Sequence, residues 1–262
     1  MRRVQVSGIE LAVEERGAGP AVVLVHGFPL DHTMWSAQVE ALSERHRVLA
    51  PDLRGFGESG VTAGKVTMIR MAEDLAEMLD ALGVEGPVSV CGLSMGGYVA
   101  LAFWEMFRDR LRSLVLCDTR AKADTPQAAA DRLAMADRVL AEGLTPLADS
   151  MLPKLLGRES RQSRPALVES LRQMILNARP EGVAAAARGM AERPDMTGRL
   201  GEIRCGVLVV VGAEDAISTP EEMRSIGAAI PGSRVVVIPA AGHMSPMEQP
   251  EAVNRAVREF LS

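Results

Sequence analysis

The chain has 262 residues, 47% of them hydrophobic and 3% aromatic, and its 29 Lys and Arg against 34 Asp and Glu give a formal charge of -5 at pH 7. That apolar share is ample for one α/β core with an insertion. A net negative charge leaves no basic footprint for a phosphate backbone, and so few aromatic rings make no stacking platform, so no nucleic-acid partner is expected.

Met1-Arg2-Arg3 runs into polar and apolar alternation instead of the long apolar stretch of a signal peptide, so no export is predicted. Val4 to Val6 and Ile9 to Glu15 alternate around Ser7-Gly8 as an antiparallel hairpin that opens a sheet. Ala21 to Val25 is a continuous apolar strand, and Arg47 to Ala50, Val88 to Cys91, Leu114 to Cys117, Val207 to Val211 and Val235 to Ile238 read as further buried parallel strands. Helical patterns lie between and after them: Thr67 to Leu82 with Thr67 as N-cap, Met95 to Phe107, Pro220 to Ile230 capped by Thr219, and Glu248 to Leu261. The order predicts an α/β fold with a mostly parallel eight-stranded sheet and helices on both faces. The uncharged run Gly86 to Trp104 nearly reaches membrane-span length, but Pro87, three further glycines and two serines inside it argue against insertion, and no membrane partner is expected.

From about Ala121 to Pro194 there is no β-branched run, only Ala, Leu, Met and Arg punctuated by Pro126, Pro146, Pro153, Pro165 and Pro180, which predicts about four short helices. Residues 121–194 are therefore expected to form a helical lid inserted into a core of residues 1–120 and 195–262. It would cover the strands' carboxyl ends, where open α/β sheets bind ligands. Met135, Met151, Met174 and Met190 would fill core gaps or line an adaptable pocket there. Cys91, Cys117 and Cys205 are an odd set without C-x-x-C spacing, read as reduced core thiols of a cytoplasmic protein.

Gly92-Leu93-Ser94-Met95-Gly96 matches G-x-S-x-G, and it follows an apolar strand directly and runs straight into a helix, the setting in which such a serine is thrust out of a sheet as a nucleophile. A serine hydroxyl needs a base, and the chain has four histidines. His243 stands just past the last strand, at the sheet's carboxyl edge with Ser94. His46 sits among Glu44, Arg45 and Arg47 as a solvated residue, and His26 holds a loop. The carboxylate that orients the imidazole is expected at Asp215, after the strand Val207 to Val211, with Asp118 as the alternative. The N-H groups of Phe28, in His26-Gly27-Phe28-Pro29, and of Met95 are the expected oxyanion donors. Gly55-Phe56-Gly57-Glu58-Ser59-Gly60 has the form G-x-G-x-x-G, but no helix opens at its last glycine, which argues against a nucleotide site.

Four motifs, His26-Gly27-Phe28-Pro29-Leu30-Asp31, Asp52-Leu53-Arg54-Gly55-Phe56-Gly57-Glu58-Ser59, the Ser94 turn and Gly242-His243, closely resemble the α/β-hydrolase superfamily in order and spacing over nearly the full length. Within it the sequence looks like small serine esterases, cofactor-free haloperoxidases and 3-oxoadipate enol-lactonases; Cys117-Asp118-Thr119-Arg120 leading to Ala123-Asp124-Thr125-Pro126 is similar to the last. The resemblance implies hydrolysis of a small-molecule ester or lactone through an acyl-enzyme, without metal or organic cofactor. Ser94 stands where haloalkane dehalogenases and epoxide hydrolases place Asp, which argues against those activities. Arg120 would pair with a substrate carboxylate in the enol-lactonase reading, or else tie down the lid. A hydrolase-fold small-molecule receptor with slow turnover and a C-C bond hydrolase are the competing readings.

Overall fold

The computed structural model describes all 262 residues. Its strands are β1 (Arg2–Val6), β2 (Ile9–Arg16), β3 (Ala21–Val25), β4 (Arg47–Pro51), β5 (Val88–Leu93), β6 (Leu111–Cys117), β7 (Gly206–Gly212) and β8 (Arg234–Ile238). They form one eight-stranded sheet in the order β1-β2-β4-β3-β5-β6-β7-β8. The β1-β2 and β2-β4 pairs are antiparallel and every other pair is parallel. The fold is thus the mostly parallel α/β sheet that the alternation of apolar runs and helical patterns predicts.

Successive strand residues face opposite sides. Val23 and Val25 of β3 therefore enter one core and Val22 and Leu24 the other. The first core is covered by α2 (Met68–Ala81), α3 (Met95–Met106) and α9 (Pro220–Ala229); the second by α1 (Ser36–Leu42) and α11 (Pro250–Leu261). Thr67 and Thr219 cap α2 and α9, their side chains accepting the N-H groups of Arg70 and Glu222.

Three features differ from the sequence expectation, the first being α1, which lies outside every expected helical pattern. The helix expected over Glu248 to Leu261 begins instead at Pro250 (α11), with the separate short α10 (Ser245–Glu248) before it, because Gln249 precedes Pro250 and is driven out of helical geometry, to φ -134 and ψ 61. The stretch between β6 and β7 holds five α-helices, α4 (Pro126–Glu142), α5 (Thr145–Leu155), α6 (Arg158–Ser163), α7 (Pro165–Leu176) and α8 (Pro180–Ala191), and a 3-10 turn at Thr197–Glu202. Pro126, Pro165 and Pro180 each open a helix, where the missing N-H costs nothing, whereas Pro153 lies inside α5. The Ala-rich face of α8 is buried in the first core, and Val66 N-H donates to Ala185 C=O. Cys91 and Cys117 are buried and free, while Cys205 is only half-buried. Met190 and Met174 belong to the two cores, with Met135 and Met151 packed against them. No helix is long and apolar enough to cross a membrane.

Candidate active site

Ser94 occupies the turn between β5 and α3 at φ 53 and ψ -113, a left-handed conformation that a non-glycine residue holds only where its surroundings over-determine it. Those surroundings are visible. Ser94 N-H donates to Cys117 C=O at 3.0 Å, and Ser94 C=O accepts from Thr119 Oγ1 at 2.7 Å and Gly97 N-H at 2.9 Å. The flanking glycines are steric necessities: a Cβ on Gly92 would stand 2.1 Å from Gly96 O, and one on Gly96 would stand 2.1 Å from Val25 O. The half-buried serine side chain thus sits at the head of α3, with the helix N-H groups below it.

His243 follows β8 in the connection to α10 and is buried. Its Nδ1 is hydrogen-bonded at 2.8 Å to Asp215 Oδ2, and Asp215 Oδ1 accepts Ile217 N-H at 2.7 Å and Ser218 N-H at 3.0 Å. With both carboxylate oxygens engaged, Asp215 cannot rotate without losing all three bonds. The bond at Nδ1 assigns a proton to that nitrogen and leaves Nε2 as the nitrogen facing away from Asp215. The Ser94 hydroxyl makes no hydrogen bond to the ring.

Asp118, the alternative carboxylate, is engaged elsewhere. Its Oδ1 accepts Gly212 N-H at 2.8 Å and its Oδ2 accepts the Ser245 hydroxyl. Burial, then the neighbouring Asp215 charge and Cys117, push its carboxyl well above the usual carboxylate range against those two hydrogen bonds. Asp118 therefore joins the turn leading to Asp215 with the segment after His243, and its own C=O accepts the Ser218 hydroxyl at 3.2 Å.

The N-H groups of Phe28 and Met95 donate to no group of the protein, which leaves both available to an anion. Phe28 is held by an edge contact with Phe56, ring centroids 6.2 Å apart. His26 is buried; Nδ1 donates to Gly27 C=O at 2.9 Å and Nε2 accepts Leu53 N-H at 3.0 Å. Burial lowers its pKa, which keeps the ring neutral and suits a residue that ties two loops. His46, expected in solvent, is half-buried instead.

Arg120 is ion-paired with Glu222 of α9 at 3.2 Å and donates to Ile217 C=O, so its head group lies on the turn that carries Asp215 and on α9, not on the inserted helices. With Tyr98 and Arg193 it borders a cavity of about 250 Å³ whose lining includes none of Ser94, Asp215 and His243. The Gly55–Gly60 loop closes on itself through Gly55 N-H to Gly60 C=O and opens no helix. Asp31, His32 and Asp52 lie within reach of one cation. Their groups are already used, since Asp52 accepts His32 N-H, the His32 ring and Glu58 N-H, while Asp31 caps Thr33.

Sequence reasoning missed two carboxylates. Glu248, placed there at a helix start, is buried and accepts Gly242 N-H and Gly157 N-H, each at 2.7 Å; Glu214 accepts Arg158 N-H at 2.7 Å. The available signal was a glutamate in the otherwise uncharged run from Met244 to Pro250, directly after the histidine.

The model of the alpha/beta hydrolase fold matches residues 20–250, and the chain belongs to that family. Across 95% of its length it is 31% identical to 3-oxoadipate enol-lactonase 1 of Acinetobacter baylyi, covering 88% of that protein. Among solved structures it is similar to a thermophilic esterase from Thermogutta terrifontis, malate bound, with 53% identity, a TM-score of 0.98 and coverage of 100% of this chain and 98% of that one. It is also similar to the enol-lactonase from Burkholderia xenovorans, at 30% identity, a TM-score of 0.92 and 99% coverage of both proteins.

Proposed function

We propose that this chain hydrolyses carboxylic esters or lactones through an acyl-enzyme on Ser94, with His243 as the base and Asp215 as its orienting carboxylate. The observation that carries the reading is the buried 2.8 Å bond between His243 Nδ1 and Asp215 Oδ2, at the same sheet edge as a serine held at positive φ. His243 Nε2 removes the Ser94 proton as the hydroxyl oxygen attacks the substrate carbonyl, and Asp215 stabilises the imidazolium that results. The Phe28 and Met95 N-H groups receive the oxyanion; one such donor contributes about 3–4 kcal/mol to the transition state. The imidazolium gives its proton to the leaving alkoxide, which stays tethered to the acyl group if the substrate is a lactone. A water deprotonated by His243 then attacks the Ser94 ester and releases the acid. The missing hydrogen bond between Ser94 and His243 is compatible with this sequence, because such bonds tighten when substrate is bound.

The esterase and enol-lactonase names of similar proteins support the reaction class, since both cleave an acyl-oxygen bond. Helices α4 to α8 are assigned as the lid. Free thiols, with the Cys91 and Cys117 sulfurs 3.9 Å apart and unbridged, suit a reducing cytoplasm.

The test is turnover of a panel of p-nitrophenyl esters, small lactones and 3-oxoadipate enol-lactone by the wild type and by Ser94→Ala, compared at equal folded fraction by circular dichroism. Ser94-dependent turnover of one class is expected. Full activity in Ser94→Ala, or no turnover of any carbonyl substrate, would refute the mechanism.

A further inference from the structure

Glu248 is a buried carboxylate without a cation. Arg164 reaches its backbone carbonyl and not its side chain. Leaving an ionised group in the interior costs several kcal/mol unless strong hydrogen bonds offset it. Here they come from two segments far apart in sequence. Oε1 accepts Gly242 N-H and Oε2 accepts Gly157 N-H, each at 2.7 Å. Gly242 immediately precedes His243. Gly157 belongs to the strap Leu155-Leu156-Gly157, which runs from the last residue of α5 to the start of α6 in the inserted helices.

The strap and the histidine loop lie backbone against backbone. A Cβ on Gly242 would be 2.5 Å from Gly157 N and 2.7 Å from Leu156 C, so no side chain fits between them. On the other side of the histidine, Met244 N-H donates to Leu155 C=O at 3.1 Å. Both neighbours of His243 are thereby bonded to the strap, Gly242 through Glu248 and Met244 directly. One residue further along, Arg158 N-H donates to Glu214 Oε2 at 2.7 Å, which carries the connection to the turn holding Asp215.

Resting on the reading of His243 as the base, we propose that Glu248 is a positioning residue: its carboxylate joins the lid strap to the histidine loop, so that the imidazole is aligned only while the strap is docked. The chemistry requires a carboxylate. Two N-H donors converge from opposite sides, and only an ionised acid offers an acceptor on each arm; an amide would turn an NH₂ against one of them. A clamp needed only for stability could be apolar and avoid the buried charge. A clamp that fixes the height and tilt of a ring needs directional bonds.

The experiment is a double-mutant cycle, with kcat, KM and melting temperature measured for the wild type, Glu248→Gln, His243→Ala and the double variant on an activated ester that the wild type hydrolyses. Glu248→Gln is expected to lower kcat by roughly 10- to 100-fold, the scale of a misplaced catalytic group, with KM changed by less than about twofold. In the His243→Ala background the same substitution is expected to have no further effect on the residual rate, because the group it positions is gone. An equal fractional loss in both backgrounds, or an unchanged kcat in folded Glu248→Gln, overturns the positioning role and leaves the base assignment intact. Full turnover by His243→Ala alone refutes the base assignment and this inference with it. Should Glu248→Gln fail to fold, Gly157→Ala is the milder probe from the strap side: its Cβ would sit 3.0 Å from Gly242 N and 3.2 Å from Glu248 Oε2. The same loss confined to the His243 background supports the proposal, and its absence overturns it.

Discussion

Asp118→Asn separates two carboxyl groups that share one buried site and have opposite needs. An asparagine can keep the local bonds, with its carbonyl accepting Gly212 N-H and its amide donating to Ser245 Oγ, since a hydroxyl accepts as readily as it donates. The wild-type carboxyl is raised above its ordinary value of 3.8 by burial and by the Asp215 charge. A carboxyl whose folded pKa exceeds its unfolded pKa holds a proton that the unfolded protein has already lost. Stability therefore falls as pH rises from the unfolded pKa toward the folded one, by about 1.4 kcal/mol per pH unit for the single site. Asparagine carries no such penalty. Asp118→Asn should match the wild type near pH 4 and become progressively more stable than it above that, by about 3–6 °C in melting temperature per pH unit for a protein of this size. The gain levels off above the folded pKa. The assay is urea or thermal unfolding of both proteins from pH 4 to 8, taken as the difference so that all other titrating groups cancel, with ester turnover measured alongside. A variant whose stability difference is independent of pH, or which loses ground as pH rises, would show that Asp118 is ionised in the fold and refute the reasoning.

Asp215→Asn should have the contrary effect: the amide favours the wrong imidazole tautomer, and kcat is expected to fall about 10⁴-fold with the fold intact, checked by steady-state kinetics beside circular dichroism. Gly96→Ala drives a Cβ into Val25 O, a backbone atom that cannot step aside. Loss of soluble folded protein or of the serine turn is expected, and a normal melt with normal activity would contradict the steric account. Arg54 and Asp74 form a buried two-bond pair at 2.7 and 2.6 Å, with side-chain exposures of 4% and 1%. Because Arg70 also bonds Asp74, Arg54→Ala leaves the carboxylate one cation and should cost about 1–3 kcal/mol of stability, on the order of 5 °C in melting temperature, while kcat per folded molecule stays unchanged.

The sheet was legible in the sequence because its strands are short apolar runs between turn residues, and the caps Thr67 and Thr219 sit where their pattern places them. Ser94, His243 and Asp215 could be singled out as the candidate site because each follows a strand at the same edge. What escaped was set by contacts across long sequence distance. Nothing local distinguishes Asp118 from Asp215 as the partner of the imidazole: both follow strands, and only the packing of Gly212 and Ser245 around Asp118 turns it away. Glu248 had the appearance of a helix-opening residue, and its partners Gly157 and Gly242 stand 91 and 6 positions away. The break at Gln249, by contrast, was readable from Pro250 and the restriction that proline puts on its predecessor.

The inserted helices do not rest on the sheet as a separate layer. Ala136 and Val139 of α4 and the Ala-rich face of α8 are part of one core, while Leu155, Leu156 and Ile175 are part of the core on the other face. An element rooted in both cores cannot unfold as an independent unit, because releasing it opens apolar surface on each side. Backbone amides in α8 should therefore exchange with solvent only through global unfolding, and transplanting these helices onto another member of the fold family would demand that both of its cores be rebuilt to receive them.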